Sequence, residues 1–299
     1  MIKIHNLARD FNSYLARLSE ENLNESKEIW EEVCYFNNED VYNHIYDLYR
    51  KIDSSIKLSE EALKIINIDE LSNKIYSISS RLEHNMEDIL AVFQEHGIVL
   101  DDENELNVYI VVGNGTTNAI VTGYQTASLF LFVESLPDAK YFKILLAHEL
   151  FHVMHRHSKP CQIEEIQLVD LLISEGLACS TSKIMNDGLE ISEYLDFNKG
   201  NYDESRLNFI KDKREQIKRD FTSNDWEVIR NYISYGDFQH HRIGYDIGYL
   251  VLQEMLKKDN IKTIMEMPFD YVRSIFIKEF DYLLNSTDNT TSEQWFTTK

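Results

Sequence analysis

The run from His148 to His157 constrains this chain more than any other feature, because its first five residues spell His-Glu-Leu-Phe-His. On a helix, side chains four residues apart lie almost one above the other, so His148 and His152 can direct two imidazoles at one metal ion. Glu149 lies about 100° further round the helix, where its carboxylate can reach a water molecule at that metal. The pattern therefore predicts a zinc hydrolase helix with Glu149 as the general base.

The residues that precede the motif indicate a helix packed in the core. Residues 141–147 are apolar except for one lysine, and Pro137-Asp138, just after Ser135, is a plausible helix start. A pattern with three fixed positions also occurs by chance on solvent-exposed helices, where it carries no metal. The apolar run before His148 favours the metal site over that alternative.

The spacing after the motif excludes a metzincin, which needs a glycine and then a third histidine at fixed positions. Those positions hold His155 and Ser158 here. His155 does share the helix face of His148, but seven residues along an unbroken helix separate them by about 10 Å. Three donors from one straight helix fit a tetrahedral site poorly, so the third ligand must come from another element.

Glu175 is the best candidate for that third ligand. It lies in a predicted helix, residues 162–184, that follows the break at Pro160, and it is surrounded by leucine, isoleucine and alanine. An unpaired carboxylate would be costly there, and a metal ion would compensate its charge. The alternative is an ordinary exposed glutamate on an amphipathic helix. Gly176 and Ala178 are small enough to let this helix approach the first one closely.

The two motifs together, His148-Glu149-x-x-His152 and Ser174-Glu175-Gly176-Leu177-Ala178, resemble those of the gluzincin metallopeptidases, the thermolysin-like branch of the zincins. The resemblance covers roughly residues 105–255 and is greatest to a group of bacterial predicted zinc-dependent proteases whose substrates are poorly defined. It implies one zinc ion per chain, held by His148, His152 and Glu175, with Glu149 as the general base.

The chain departs from the thermolysin-like pattern at Cys179. Members of that branch carry an aspartate four residues after the ligand glutamate, where it orients a ligand histidine. With Cys179 at this position, the orienting partner is expected to come from elsewhere. Asp170 is the nearest acid upstream, but it lies about 140° round the helix from Glu175. The sequence therefore does not identify the partner.

Residues 106–134 form the one clearly β-rich stretch. Strands are predicted at 108–112, 119–121 and 128–133, separated by turns with glycine. In gluzincins a strand just before the metal helix forms the rim of the cleft, and an extended peptide can pair with such an edge. By resemblance, Ser128–Val133 would be that edge strand. The strands are equally compatible with a small core sheet, and both descriptions can hold.

A second histidine cluster, His240-His241-Arg242, leads into a predicted helix that carries tyrosines and glycines at helical spacing. Glycines inside a helix cost about 1 kcal/mol each relative to alanine, which suggests close packing against another helix. A zinc peptidase also needs a donor for the oxyanion of the transition state. Tyr245 is the first candidate for that donor, and His241 or Arg242 the second. Core tyrosines and surface histidines would give the same pattern.

The predicted fold is mainly α (α+β), a zincin-like core with a small antiparallel sheet. An all-helical N-terminal region, residues 1–100, precedes the metallopeptidase region 101–284, and residues 285–299 form a polar tail. Besides the two metal helices within 138–184, helices are predicted at 6–20, 24–36, 39–52, 57–67, 70–96, 204–222, 225–233, 242–258 and 268–284.

The composition limits the partners. A net charge of −21, from 51 acidic and 30 basic residues, argues against nucleic acid and anionic membrane surfaces. A peptide or protein substrate is favoured, and the acidic surface favours a cationic one. No signal peptide is evident, no apolar run approaches the ~20 residues of a membrane span, and three unpaired cysteines indicate a reducing compartment. We therefore expect a cytoplasmic protein, with a mature secreted form left open.

Two further functions remain open. The chain could be a catalytically silent metal-binding or regulatory protein, with His155 closing a structural zinc site. Alternatively it could be an aminopeptidase instead of an endopeptidase. The sequence does not decide the cleavage specificity or the oligomeric state.

Overall fold

The computed structural model describes residues 2–18, 25–52, 68–99, 105–113, 117–123, 127–158, 166–197, 204–234 and 240–286. The chain divides into two compact units. The first comprises Met1–Asp88 and Leu100–Ala139, and the second comprises Ile89–Val99 and Lys140–Lys299. The described residues are mainly helical and include a small sheet, which confirms the α+β class. The domain boundaries predicted from the sequence stay a prediction.

The sheet of the first unit has four strands in the order β1-β2-β4-β3. These are β1 (Ile2–Asn6), β2 (Leu106–Val111), β3 (Ala119–Thr122) and β4 (Ser128–Phe132). The pairs β1–β2 and β2–β4 are parallel, whereas β3–β4 is antiparallel. Every residue of β2 and β4 is buried. Their near-continuous apolar sequences are typical of strands that are covered on both faces.

Three expectations about this sheet are wrong. The N-terminal region is not all-helical, because residues 2–6 form β1, with Ile2 aligned with Leu106 of β2. The sheet is mixed instead of antiparallel, because β1 and β4 both run parallel to β2. Residues 128–132 are not an edge strand, since β4 pairs on both sides. The half-buried β3 lies outside β4, which agrees with its weaker apolar pattern.

The helices of the N-terminal part are α1 (Ala8–Arg17), α2 (Ser26–Trp30), α3 (Glu39–Ile52) and α4 (Ile68–Glu95). The helix predicted at 24–36 is α-helical only in α2. It continues as a π-helical turn, Glu31–Tyr35, and a 3₁₀ turn, Phe36–Asn38, where the amides of Asn37 and Asn38 donate to backbone carbonyls. The helix predicted at 57–67 lies outside the described residues.

Most helices after the sheet begin and end within a few residues of the predicted bounds, but the helix predicted at 204–222 is interrupted between Asp212 and Arg214. The helices after the sheet are α5 (Ala139–Ser158), α6 (Leu168–Met185), α7 (Ile191–Asp196), α8 (Glu204–Asp212), α9 (Arg214–Asp220), α10 (Trp226–Ile233), α11 (Ile243–Leu256), α12 (Ile261–Glu266) and α13 (Phe269–Ser286). The six-residue helices α7 and α12 were not expected. No helix within the described ranges is both long and apolar enough to cross a membrane.

Helices α6 and α11 touch through their backbones at Gly176 and Gly248. A Cβ atom added to Gly176 would lie 2.4 Å from the carbonyl oxygen of Gly248, and one added to Gly248 would lie 2.2 Å from that of Leu172. The close packing predicted for the helix with Gly244 and Gly248, which is α11, is therefore confirmed. The expectation that Gly176 lets this helix approach the first metal helix is wrong, because Gly176 lies against the backbone of Gly248 in α11. This contact brings α11 next to the helix that carries Glu175.

The first turn of α6 is fixed by several polar contacts. The Asp170 carboxylate accepts a hydrogen bond from the backbone N–H of Gln167. Its two oxygens also accept hydrogen bonds of 2.7 Å each from Nε and Nη2 of Arg273. The backbone N–H of Leu168 donates to the carbonyl of Ser223 over 2.8 Å. These bonds satisfy amides that a helix start leaves without partners. Asp170 thus anchors the helix.

Candidate metal centre

Three side chains from α5 and α6 converge on one point. The Nε2 atom of His148 lies 3.0 Å from Oε2 of Glu175 and 3.0 Å from Nε2 of His152, and the His152 and Glu175 atoms are 3.3 Å apart. Zinc bonds of about 2.0–2.1 Å in a tetrahedron place two donor atoms roughly 3.3 Å apart. The donors are two imidazole nitrogens and one carboxylate oxygen, a set that catalytic zinc sites use. The described residues therefore fit a zinc ion at this point.

Two of the three donors, His148 and Glu175, have the charge states that metal binding requires. Burial lowers the pKa of His148, which is 1% exposed, to about 4, so its imidazole is neutral at pH 7. Burial alone would raise the pKa of Glu175. The neighbouring His152 and His148 more than offset this effect and hold the pKa well below its usual range. A neutral imidazole and an ionised carboxylate are the forms that bind zinc.

Each of the two candidate ligand histidines has a partner at its other ring nitrogen. Oγ of Ser174 lies 3.1 Å from Nδ1 of His152, and Sγ of Cys179 lies 3.8 Å from Nδ1 of His148. When Nε2 binds a metal, Nδ1 carries the proton and donates. The expectation that the partner must come from elsewhere than Cys179 is therefore wrong for His148. Burial raises the pKa of Cys179, so the partner is a neutral thiol, a weak acceptor.

Glu149 and Tyr245 lie beside this triad. Glu149 is 9% exposed, and its charge is one of those that raise the pKa of Tyr245. Burial is the largest cause of that rise, and the nearby Arg242 only partly opposes it. The phenol therefore keeps its proton at neutral pH, and its O–H is available as a hydrogen-bond donor. Of the predicted catalytic residues Tyr245 and His241, Tyr245 is the one whose ring packs on His148 of the candidate metal site.

Two aromatic rings pack on His148, and one guanidinium packs on both of those rings. The His148 ring lies 6.0 Å from that of Tyr245, nearly parallel to it, and 5.3 Å from that of Phe197. The Arg242 guanidinium lies 3.7 Å from the centre of the Tyr245 ring and 5.3 Å from that of Phe197. Phe197 was not identified from the sequence, because a phenylalanine after a short helix gives no functional signal.

Backbone strain is concentrated in the same group. Phe197 and Arg242 have φ angles of 53° and 54°, and among the described residues they are the two non-glycine residues with positive φ. Such a conformation costs about 1–3 kcal/mol and persists only where the surroundings hold it, often at functional sites. The strain supports a functional role for this group.

The other two candidate histidines lie differently. The carbonyl of His241 accepts a hydrogen bond of 3.0 Å from Arg206, and burial together with Arg242 and Arg206 lowers the pKa of its imidazole to about 4. Its catalytic role stays a prediction. The His155 ring packs 5.6 Å from that of Phe151 and is not a member of the converging triad.

A comparison with known families agrees with this geometry. A family model described as "Predicted Zn-dependent protease (DUF2268)" matches residues 78–274, which is more than half of the chain. The chain belongs to this family. The segment shared with the DUF2268 family contains the triad as well as Glu149 and Tyr245. No curated protein and no solved structure matches the chain.

Proposed function

We propose that this DUF2268 protein hydrolyses peptide bonds as a gluzincin, with one zinc ion held by His148, His152 and Glu175. The observation that supports this most strongly is the convergence of three donor atoms that lie 3.0–3.3 Å from one another. Two of them belong to the helix that also carries Glu149. Zinc, when bound, would supply a Lewis acid that polarises a carbonyl and lowers the pKa of water. An ordinary glutamate on an amphipathic helix would not account for the two imidazoles around Glu175.

The chain's own residues account for the proton transfers. In the proposed reaction the oxygen of a water molecule bonds to the carbonyl carbon while Glu149 accepts a proton from that water. Glu149 then delivers that proton to the amine nitrogen as the carbon–nitrogen bond breaks. The O–H of Tyr245 donates to the carbonyl oxygen while negative charge develops on it. One water molecule is consumed, and the products are a carboxylic acid and an amine.

The catalytically silent alternative is less well supported. A structural zinc site has no use for a buried carboxylate like that of Glu149, or for a protonated phenol beside the donors. His155, the residue expected to close such a site, packs against Phe151. Endopeptidase activity is proposed over aminopeptidase activity because no acidic motif for a substrate N-terminus stands out in the sequence. A cytoplasmic location and a peptide or protein substrate remain predictions.

The test of this function compares Glu149→Gln with the wild type on fluorescein-labelled casein and on a library of quenched fluorescent peptides. Because a general base typically contributes 10²–10⁴-fold, we expect the variant to lose at least about a hundredfold in rate. Its zinc content should stay at one per chain. Glu266→Gln, at an exposed position of α12, is the matched control and should keep full activity. Hydrolysis that survives in Glu149→Gln would contradict the proposal.

A further inference from the structure

Arg206 on α8 connects two points of the segment that carries Arg242 and Tyr245. Its Nε donates to Oδ1 of Asp246 over 2.9 Å, and its Nη2 donates both to Oδ2 of Asp246 and to the carbonyl of His241, the latter over 3.0 Å. Asp246 is fully buried, and the Arg206 side chain is 13% exposed. A side-on pair of this kind fixes direction as well as distance.

The two points lie on either side of Tyr245, which packs on His148, and of Arg242, which packs on Tyr245. His241 precedes Arg242, and Asp246 follows Tyr245 in the first turn of α11. Between them the backbone of Arg242 is left-handed, and its carbonyl accepts a 2.9 Å hydrogen bond from the N–H of Tyr245. An arginine adopts this conformation only at a cost, so the surrounding contacts must hold it there. The Arg206 bonds lie on both sides of the strained residue.

We propose that Arg206 is a positioning residue of the hydrolytic site. By binding the carbonyl of His241 and the carboxylate of Asp246, it holds the intervening turn so that Tyr245 stays packed on His148 and Arg242 stays packed on the Tyr245 ring. The proposal rests on the proposed function, because it concerns the phenol that donates to the carbonyl oxygen. Arg206 acts through its two partners, so its loss should change turnover while the zinc donors stay in place.

A second pair in the same unit provides a matched control. Arg273 donates from Nε and Nη2 to the two oxygens of Asp170, in the same side-on arrangement, with side chains 22% and 8% exposed. Lysine keeps the charge but cannot form the two parallel bonds. Arg206→Lys and Arg273→Lys should therefore lose similar thermal stability. Only Arg206→Lys should lower kcat, at least tenfold, on a quenched fluorescent peptide that the wild type cleaves, with KM and the zinc Kd changed less than twofold.

A second measurement does not depend on activity. Hydrogen–deuterium exchange in peptides that cover residues 240–249 should rise at least tenfold in Arg206→Lys and stay unchanged in Arg273→Lys. An unchanged exchange rate, or an equal loss of kcat in both variants, would overturn the proposal. If the wild type cleaves no peptide, the proposed function fails, yet exchange still decides whether Arg206 orders the turn. Should Arg206→Lys not fold, Asp246→Asn, which preserves the shape of the side chain, must show the same selective exchange.

Discussion

Gly248→Ala should disturb both the stability and the activity of this protein, because α6 and α11 leave no space for a methyl group. The added Cβ would lie 2.2 Å from the carbonyl oxygen of Leu172 and 3.0 Å from the backbone nitrogen of Gly176. Ordinary van der Waals contact begins near 3.4 Å. Since both obstructing atoms belong to the backbone, the two helices must move apart by about 1 Å.

The magnitude follows from two opposing effects. Overpacking typically costs about 1–3 kcal/mol, and a rigid backbone neighbour places this site at the upper end. Alanine regains about 1 kcal/mol in helix propensity. We therefore expect a net loss of about 2 kcal/mol in the free energy of unfolding. Because α6 carries Glu175 and α11 carries Tyr245, a displacement of about 1 Å should also lower kcat by up to about a hundredfold.

The assay is urea unfolding of the wild type and Gly248→Ala, together with kcat on the same quenched fluorescent peptide. Gly123→Ala is the control, because a Cβ at Gly123 would meet nothing within 4 Å. Its free energy of unfolding should change by less than about 0.5 kcal/mol. A Gly248→Ala variant as stable and as active as the wild type would refute the reasoning about the helix contact.

Three further predictions concern side chains around the core and the site. Tyr245→Phe should lower kcat by about 10²–10³-fold in steady-state kinetics without loss of zinc, whereas an unchanged kcat would remove the phenol from the mechanism. Cys179→Ala should weaken zinc binding only about tenfold in competition titrations, because sulfur is a weak acceptor for His148; a hundredfold loss would show a stronger interaction. Burial raises the pKa of Cys34 to about 12, above its unfolded value of ~8.5. The stability from this thiol should therefore be present below pH ~8.5 and be lost as the pH rises toward 12, which urea titrations across that range can check.

The elements of the metal site follow from local sequence signals. The spacing of His148 and His152 and the apolar run before them predict both a helix and its buried face, and Pro160 marks its separation from the next helix. Glu175 could be identified because a carboxylate among leucines needs a compensating charge. These signals are short-range, and helix periodicity makes them readable without the tertiary structure.

What could not be predicted depends on long-range pairing. Nothing local in residues 2–6 reveals that this strand pairs with residues 106–110. The sequence therefore predicts an all-helical N-terminal region that does not include β1. The partner of Gly176 is Gly248, on a helix more than sixty residues later in the chain. Phe197 packs on His148 with a positive φ angle, and Arg206 forms an ion pair with Asp246. Neither feature leaves a pattern in a single sequence.

Zinc content by elemental analysis tests the central claim most directly, on the purified wild type, Glu149→Gln and Glu175→Ala. The converging donors predict one zinc per chain in the wild type and in Glu149→Gln, and at least a tenfold weaker binding in Glu175→Ala, because that variant removes a ligand. A wild-type protein that holds no zinc after the metal is added back, or a Glu175→Ala variant that keeps its full content, would contradict the account.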